Sequence, residues 1–522
     1  MELKLLLSLA LVAGLFFGGL GLLKSGVRWL TGVSIKMQYA TLTGVALILG
    51  LVGPGTFLTG FTVSIIALFS FWTWTGMKHG LFKNRSNGET VVRGNQLVDV
   101  REVQAMLKSE ESNISIGQVA IPKRFEPTNF LLAGAPGTGK SQTFHQILGP
   151  VRAAGGRAIV ADVGGEFVAR YYREGDVILN PFDARSVSWS PLAEMQGEWD
   201  AERIAKSICP DGEGSAQEWN GYAQTLLAAV LGKLWSSDGT NGELMRLLTQ
   251  ASHSELKSFV DGTPAVGLFV EGNERMLGSI LGIVASKIKC YQYLDPAAGI
   301  DAFSVRSFVA NDGKGWLFLS FTDPQFTSLK PIIATVLDVA ASAVMELKPS
   351  STRRVWFALD EFATLGYIGA LGDLLAKGRK YGAAVILGVQ SVSQIFSAYG
   401  REQTKTLLNC LGTQLVLRSP DPETAEYFSS IFGEQDIQRI NHSTSSNGSD
   451  VSHSQSVSYS TQRVIMPAEI QGLPNLVGYL NVVGDTPPCV VNIPIVPGEE
   501  VAERFVQKAR KAKAEAAEAV PA

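Results

Sequence analysis

Asn129-Phe130-Leu131-Leu132-Ala133 runs straight into Gly134-Ala135-Pro136-Gly137-Thr138-Gly139-Lys140-Ser141, and Gln142-Thr143-Phe144-His145-Gln146-Ile147-Leu148 follows. The apolar pentapeptide reads as a buried strand and the last stretch as a helix. Between them stands the pattern GxxxxGK[ST], in the strand-loop-helix context that gives it meaning. Its glycines let the backbone curl so that consecutive N–H groups and a helix N-terminus face phosphate oxygens. At this spacing Lys140 reaches the β- and γ-phosphates, and the Ser141 hydroxyl ligates Mg²⁺. The stretch therefore predicts a site for ATP and Mg²⁺ built from Gly134, Ala135, Pro136, Gly137, Thr138, Gly139, Lys140 and Ser141.

Such a loop needs an acidic partner on a neighbouring strand, and Val355-Trp356-Phe357-Ala358-Leu359 followed by Asp360-Glu361 supplies one. Five consecutive apolar residues suit a strand buried on both faces. Asp360 at its end is placed for the Mg²⁺ water shell, and Glu361 for polarising the water that attacks the γ-phosphorus. Hydrolysis is implied, and not only binding. Ala158–Ala161 ending at Asp162, Trp316–Leu319, Ala383–Val389 ending at Gln390, and Gln414–Leu417 have the same character. Together they predict a parallel α/β sheet covered by helices. Gln390, at a strand end like Asp360, is a candidate sensor of the attacking water or the γ-phosphate. Arg379, in Gly378-Arg379-Lys380-Tyr381-Gly382, is either a solvated helix-end residue or a cation offered to a neighbouring subunit's phosphates.

Between Lys140 and Asp360 lie more residues than a compact nucleotide-binding core requires. Ala223, Leu226, Leu227, Val230 and Leu231 recur at helical spacing, as do Met276, Ile280, Leu281, Val284 and Ile288. These stripes predict an inserted all-α domain over 185–305, flanked by two parts of the nucleotide-binding domain at 81–184 and 306–497. The serine-rich stretch 441–462 reads as a mobile loop. Tyr479–Val483 and Cys489–Ile493 read as a closing hairpin. Residues 498–522 form a charged tail.

The N-terminal 80 residues have a different solvent. Leu5–Leu23 is uncharged and just long enough to cross a bilayer as a helix. A second uncharged run extends from Met37 to Met77, interrupted by Gly53-Pro54-Gly55 and closed by Phe71-Trp72-Thr73-Trp74. It gives either one kinked helix, for two spans in all, or two short spans turning at Gly53-Pro54-Gly55, for three. The basic residues between and after the runs mildly favour three. The 522 residues carry a formal charge of −3, with 18% charged and 46% hydrophobic. Those figures exclude a disordered chain and a general positive field for nucleic acid, so any DNA contact must be local. Four scattered cysteines without a CxxC pair suggest neither zinc nor a disulfide framework.

The combination resembles the type IV coupling proteins of bacterial conjugation, the TraD/TrwB family. Besides the loop and Leu359-Asp360-Glu361-Phe362, the segments that carry the resemblance are Asp162-Val163-Gly164-Gly165-Glu166, Leu179-Asn180-Pro181-Phe182-Asp183-Ala184-Arg185-Ser186, Gly388-Val389-Gln390-Ser391 and Val464-Ile465-Met466-Pro467-Ala468-Glu469-Ile470. It implies a RecA-like P-loop NTPase domain with an inserted all-α domain and an N-terminal transmembrane region of two helices. It further implies a multi-pass inner-membrane protein whose ATPase body lies in the cytoplasm and assembles as a homo-hexamer. Such a motor links a relaxase-DNA complex to the type IV secretion channel and helps pump single-stranded plasmid DNA. Its inner-membrane partners belong to the type IV secretion system. In the resemblance Lys140, Glu361, Arg379 and Gln390 are catalytic, Arg379 acting on the next subunit's nucleotide, while Ser141 and Asp360 hold the metal. Two other readings stay open: a double-stranded DNA translocase of the FtsK kind, and an ATP-assembled membrane receptor for secreted protein substrates.

Overall fold

The computed structural model of the chain describes residues 89–108, 110–212, 214–311, 313–447 and 450–508. The expected membrane spans within 1–80 and the end of the tail lie outside these residues. β1 (Glu89–Gly94), β2 (Ser112–Ile116) and β3 (Val119–Pro122) come first, β2 and β3 pairing as a hairpin. Then follow β4 (Phe130–Ala133), β5 (Arg157–Val163), β6 (Val177–Ile178), β7 (Trp316–Phe321), β8 (Val355–Leu359), β9 (Ala383–Val389) and β10 (Thr413–Leu417). β11 (Glu434–Asn447) and β12 (Asp450–Arg463) join β1 in a separate three-stranded sheet, and β13 (Val477–Asn481) and β14 (Cys489–Asn492) are the last strands among the described residues.

The main sheet runs in the order β14-β13-β10-β4-β9-β8-β5-β7-β6. From β10 to β6 every pairing is parallel, and β13 and β14 add an antiparallel edge. All side chains of β4, β7, β8, β9 and β10 are buried. Helices cover both faces, which is why these strands read as unbroken apolar runs. Phe130, Leu132, Val160 and Ile386 face the helix Lys140–Ala153, through its Phe144, Ile147 and Leu148. Leu131, Ile159, Phe357 and Val385 face the opposite way, toward the helix Asp323–Glu346.

That second helix contains the segment Pro324–Glu346, which among the described residues is long and apolar enough to cross a membrane by length and composition. Its Leu329, Ile332, Val336, Leu337 and Val344 are buried in the protein's own core, so it is a core helix. Between β6 and β7 the chain forms helices at Asp200–Ile208, Ser215–Ser236, Asn241–Thr249, His253–Phe259, Glu274–Ile288 and Val305–Ala310. Their apolar stripes, Leu226, Leu227, Val230 and Leu231 among them, belong to the same core as one face of the sheet. A buried ion pair ties both ends of this helical segment together. Arg306 donates to both carboxylate oxygens of Asp200, at 3.0 Å each, and to Glu346. Burial works against the charge on Asp200, but the Arg306 and Arg203 guanidiniums hold its carboxyl below the usual range.

Two features differ from the expectations above. The stretch 441–462 is not a loop: β11 and β12 pair without a break from Glu434↔Arg463 to Asn447↔Asp450. Gln455–Thr461 of β12 is exposed along both faces, and its only strand signal, Val457 and Tyr459 alternating with serines, is too short to stand out from a serine-rich composition. Second, β8 is not the neighbour of β4. β9 lies between them, so Asp360 and the phosphate loop sit two strands apart.

After β14 the chain crosses the top of the sheet as an extended strap. Val496 N–H donates to Gln142 Oε1 at 2.7 Å, and Arg170 donates to the Val496 and Pro497 carbonyls. Val501 and Ala502 N–H groups both meet the Ala169 carbonyl, and Ala184 and Lys508 pair with Val506 and Phe182.

Candidate nucleotide site

The phosphate loop is pinned by its neighbours. Gly134 N–H donates to the Val389 carbonyl at the end of β9, and Ala135 N–H donates to Arg418 O just past β10. Thr138 Oγ1 closes the loop on Ala135 O at 2.7 Å. Gly137 holds φ 73°, and a Cβ there would meet nothing within 4 Å, so the concave side of the loop is open. Gly139 holds φ 122°, and a Cβ would stand 3.1 Å from Leu476 Cδ2. Both the backbone angle and the crowding require glycine. Lys140 opens the helix that follows, and Ser141 occupies its first turn.

Lys140 is buried, and its Nζ donates to Gly134 O at 2.7 Å while standing 3.6 Å from Glu361 Oε1. Gln390 Nε2 donates to the same Glu361 oxygen. Glu361 adopts φ 55°, ψ 40°, a left-handed backbone that costs a non-glycine residue roughly 1–3 kcal/mol. Thr364 Oγ1 on the Glu361 carbonyl and Asp360 Oδ1 on the Glu361 N–H hold it there. The bend turns the carboxylate back over the sheet toward Lys140. Burial pushes the Asp360 carboxyl up to about 6, the Glu361 charge adds to this, and Lys140 opposes it.

The structure thus brings Lys140, Glu361 and Gln390 together, with Asp360 adjoining Glu361. Arg379 stands apart. It is exposed in the turn Gly378–Tyr381 that enters β9, and Val355↔Ala383 pairing places that turn at the opposite end of the strands from the loop. Seven residues of β9 separate the two ends, roughly 20 Å at the rise of a strand. Among the described residues its guanidinium makes no ion pair or side-chain hydrogen bond.

Two groups beside the cluster were not singled out as site residues by sequence reasoning. Asp162 is the last residue but one of β5, and the register Ala161↔Leu359 sets it beside Asp360. It is fully buried, accepts from Val168 N–H at 2.7 Å, and among the described residues leaves Oδ1 without a partner. Burial pushes it up to about 7, and the Val168 bond works against that. The other group is His145, one helical turn beyond Ser141. Its ring nitrogens meet Glu166 Oε1 at 2.9 Å and Tyr171 Oη at 3.0 Å. The hydrogen bond from His145 is the main reason the Glu166 carboxyl lies below its usual range. The available signal was Asp162-Val163-Gly164-Gly165-Glu166, an acid at a strand end before a turn whose two glycines hold φ 86° and 75°.

A glycine-curled loop between a parallel strand and a helix, with a carboxylate pair two strands away and an intervening strand followed by glutamine, defines an α/β nucleotide-binding domain of the P-loop NTPase class. A family model described as the type IV secretion-system coupling protein DNA-binding domain matches residues 113–494, and the chain belongs to that family. It is 29% identical over 469 residues to the coupling protein TraD of Escherichia coli strain K12, covering 85% of this chain and 64% of TraD. Against the coupling protein VirD4 of Bartonella henselae it is 25% identical over 274 residues, 49% of this chain and 42% of VirD4. The chain therefore spans less than two thirds of the length of these relatives. Among solved structures it is similar to the plasmid coupling protein TrwB in complex with ADP and Mg²⁺, with TM-score 0.74 and 30% identity over 82% of this chain and all of that one.

Proposed function

We propose that the chain is the ATP-driven coupling protein of a conjugative type IV secretion system, anchored in the inner membrane by its N-terminal region with the ATPase body in the cytoplasm. It links a relaxase-DNA complex to the secretion channel and drives single-stranded plasmid DNA, working as a homo-hexameric ring. The observation that carries this reading is the convergence of Lys140, Glu361 and Gln390 at the ends of β4, β8 and β9. Family membership supports it, as does the likeness to TrwB bound to ADP and Mg²⁺.

The residues fit ATP and Mg²⁺. The open cradle at Gly137 takes phosphate on backbone N–H groups, and Lys140 exchanges its Gly134 and Glu361 contacts for phosphate oxygens. Ser141 and the half-buried Asp360 would hold Mg²⁺, which when bound neutralises charge on the β- and γ-phosphates. Released from Lys140, Glu361 orients and deprotonates the attacking water, and Gln390 fixes the angle of that carboxylate. Arg379 serves the nucleotide of the next subunit. Contacts to DNA are mainly to phosphate, since a transfer motor must accept any sequence.

The test is ATP hydrolysis by the purified chain in detergent, with single-stranded DNA, duplex DNA or neither, at low and high salt. Stimulation by single strands that fades with salt and vanishes in Glu361→Gln is the expected result. A preference for duplex would replace this reading with a double-strand pump. Basal turnover with no response to DNA would favour a receptor for protein substrates.

Metal binding should also release protons. With its carboxyl near 6, Asp360 is about half protonated at pH 6, and it must be ionised to serve Mg²⁺. Calorimetry of Mg²⁺-ADP binding in buffers of different ionisation enthalpy should show net proton release at pH 6 that disappears by pH 8. Metal affinity should fall below pH 6. Equal heats in all buffers at pH 6 would remove Asp360 from this role.

A further inference from the structure

The strap carries an apolar group that the phosphate chemistry does not use. Pro494-Ile495-Val496-Pro497 begins one residue after β14, and Ile495 is 69% exposed although both its flanks are fixed. Ile493 is buried and its N–H donates to Leu476 O at 2.7 Å, while Leu476 N–H donates to Thr138 O at 2.9 Å inside the phosphate loop. Leu476 holds φ 63° to make both bonds, an unusual angle for a leucine. On the other side, Val496 N–H is held by Gln142 in the first turn of the phosphate-loop helix. Two prolines narrow the backbone further, so Ile495 is presented in one place, beside residues 138 to 142. An exposed apolar side chain held this firmly lowers no energy of the folded chain by itself. It gains on burial against a flat apolar ligand whose ordering cost has largely been met in advance.

We infer that Ile495, backed by Leu476 and Ile493, is the platform on which the base of the bound nucleotide packs. The inference rests on the nucleotide reading of the phosphate loop and names the subsite that would take the nucleoside end. A nucleotide with its phosphates on Gly137–Ser141 extends its ribose and base past the first helical turn, and the strap is the element that crosses there. The platform is aliphatic, and Pro494 and Pro497 have no N–H to offer. It therefore reads the flat face of a purine and not its edge, so adenine and guanine should be accepted about equally.

The experiment is calorimetric binding of ADP, GDP and inorganic tripolyphosphate to the full chain in detergent, with Ile495→Ala, Ile495→Asp and Val501→Asp. Val501 is 62% exposed on the same strap, but its N–H is held by the Ala169 carbonyl and not by the phosphate loop or the first turn of its helix. Ile495→Asp should raise the Kd of ADP and GDP about tenfold and leave tripolyphosphate unchanged, with Ile495→Ala in between and Val501→Asp silent. Unchanged ADP affinity in Ile495→Asp would overturn the platform, and so would an equal loss for tripolyphosphate, which has no base. Failure of the unmodified chain to bind tripolyphosphate or ADP at all would instead overturn the nucleotide reading itself.

Discussion

Lys140→Ala is expected to abolish plasmid transfer and to lower ATP turnover by at least 10²–10³-fold, the loss typical when one preorganised donor to a developing charge is removed. The side chain is buried, and among the described residues its ammonium is held by the Gly134 carbonyl and the nearby Glu361. Both contacts are of the kind that a γ-phosphate displaces without moving the backbone. Without Lys140 the loop keeps its ties to Val389 and Arg418 and its Thr138 bond, so the fold should survive. Circular dichroism and membrane insertion should therefore match the unmodified chain while donor-to-recipient transfer falls to background. Transfer at normal frequency by this variant would sink the motor reading.

How much of this site was readable in advance follows from how local each signal is. The loop and Asp360-Glu361 were legible because fixed residue types at fixed spacing carry their chemistry with them. Gln390 was legible as a strand end, but its contact with Glu361 was not. That contact depends on β9 lying between β4 and β8, a strand order that sequence spacing does not encode. Asp162 was hidden for the same reason, since an acid at a strand end is ambiguous until register sets it beside Asp360. The helical stripe on Ser215–Ser236 was legible because one face of it is buried, whereas β12 buries neither face over Gln455–Thr461. The strap had no periodicity at all, because its backbone groups pair with helix residues and loops far away in sequence. The membrane region is an expectation from composition alone and lies outside the described residues.

Arg379 allows a sharper test, because its position separates two ways of working. At roughly 20 Å from its own phosphate loop, across the length of β9, it cannot touch its own nucleotide. If it acts, it acts on a neighbour, across a head-to-tail contact that repeats around a ring. Arg379→Ala should then cost about 10³-fold or more in turnover. ADP affinity should hardly change, because every contact within the subunit's own cluster is intact. Arg379→Ala and Lys140→Ala are each inactive alone, but they are broken on opposite sides of the shared site. In a ring mixed at equal amounts, a site works where an Arg379→Ala subunit supplies the loop and a Lys140→Ala subunit supplies the arginine. Random mixing gives about one such interface in four, the product of two halves, so co-assembled variants should regain up to a quarter of normal ATP turnover. An arginine acting within its own chain would leave every mixed site dead. Silence in mixtures whose co-assembly is demonstrated by differently tagged subunits would therefore remove Arg379 from the neighbour's site, and normal turnover in Arg379→Ala alone would remove it from the chemistry.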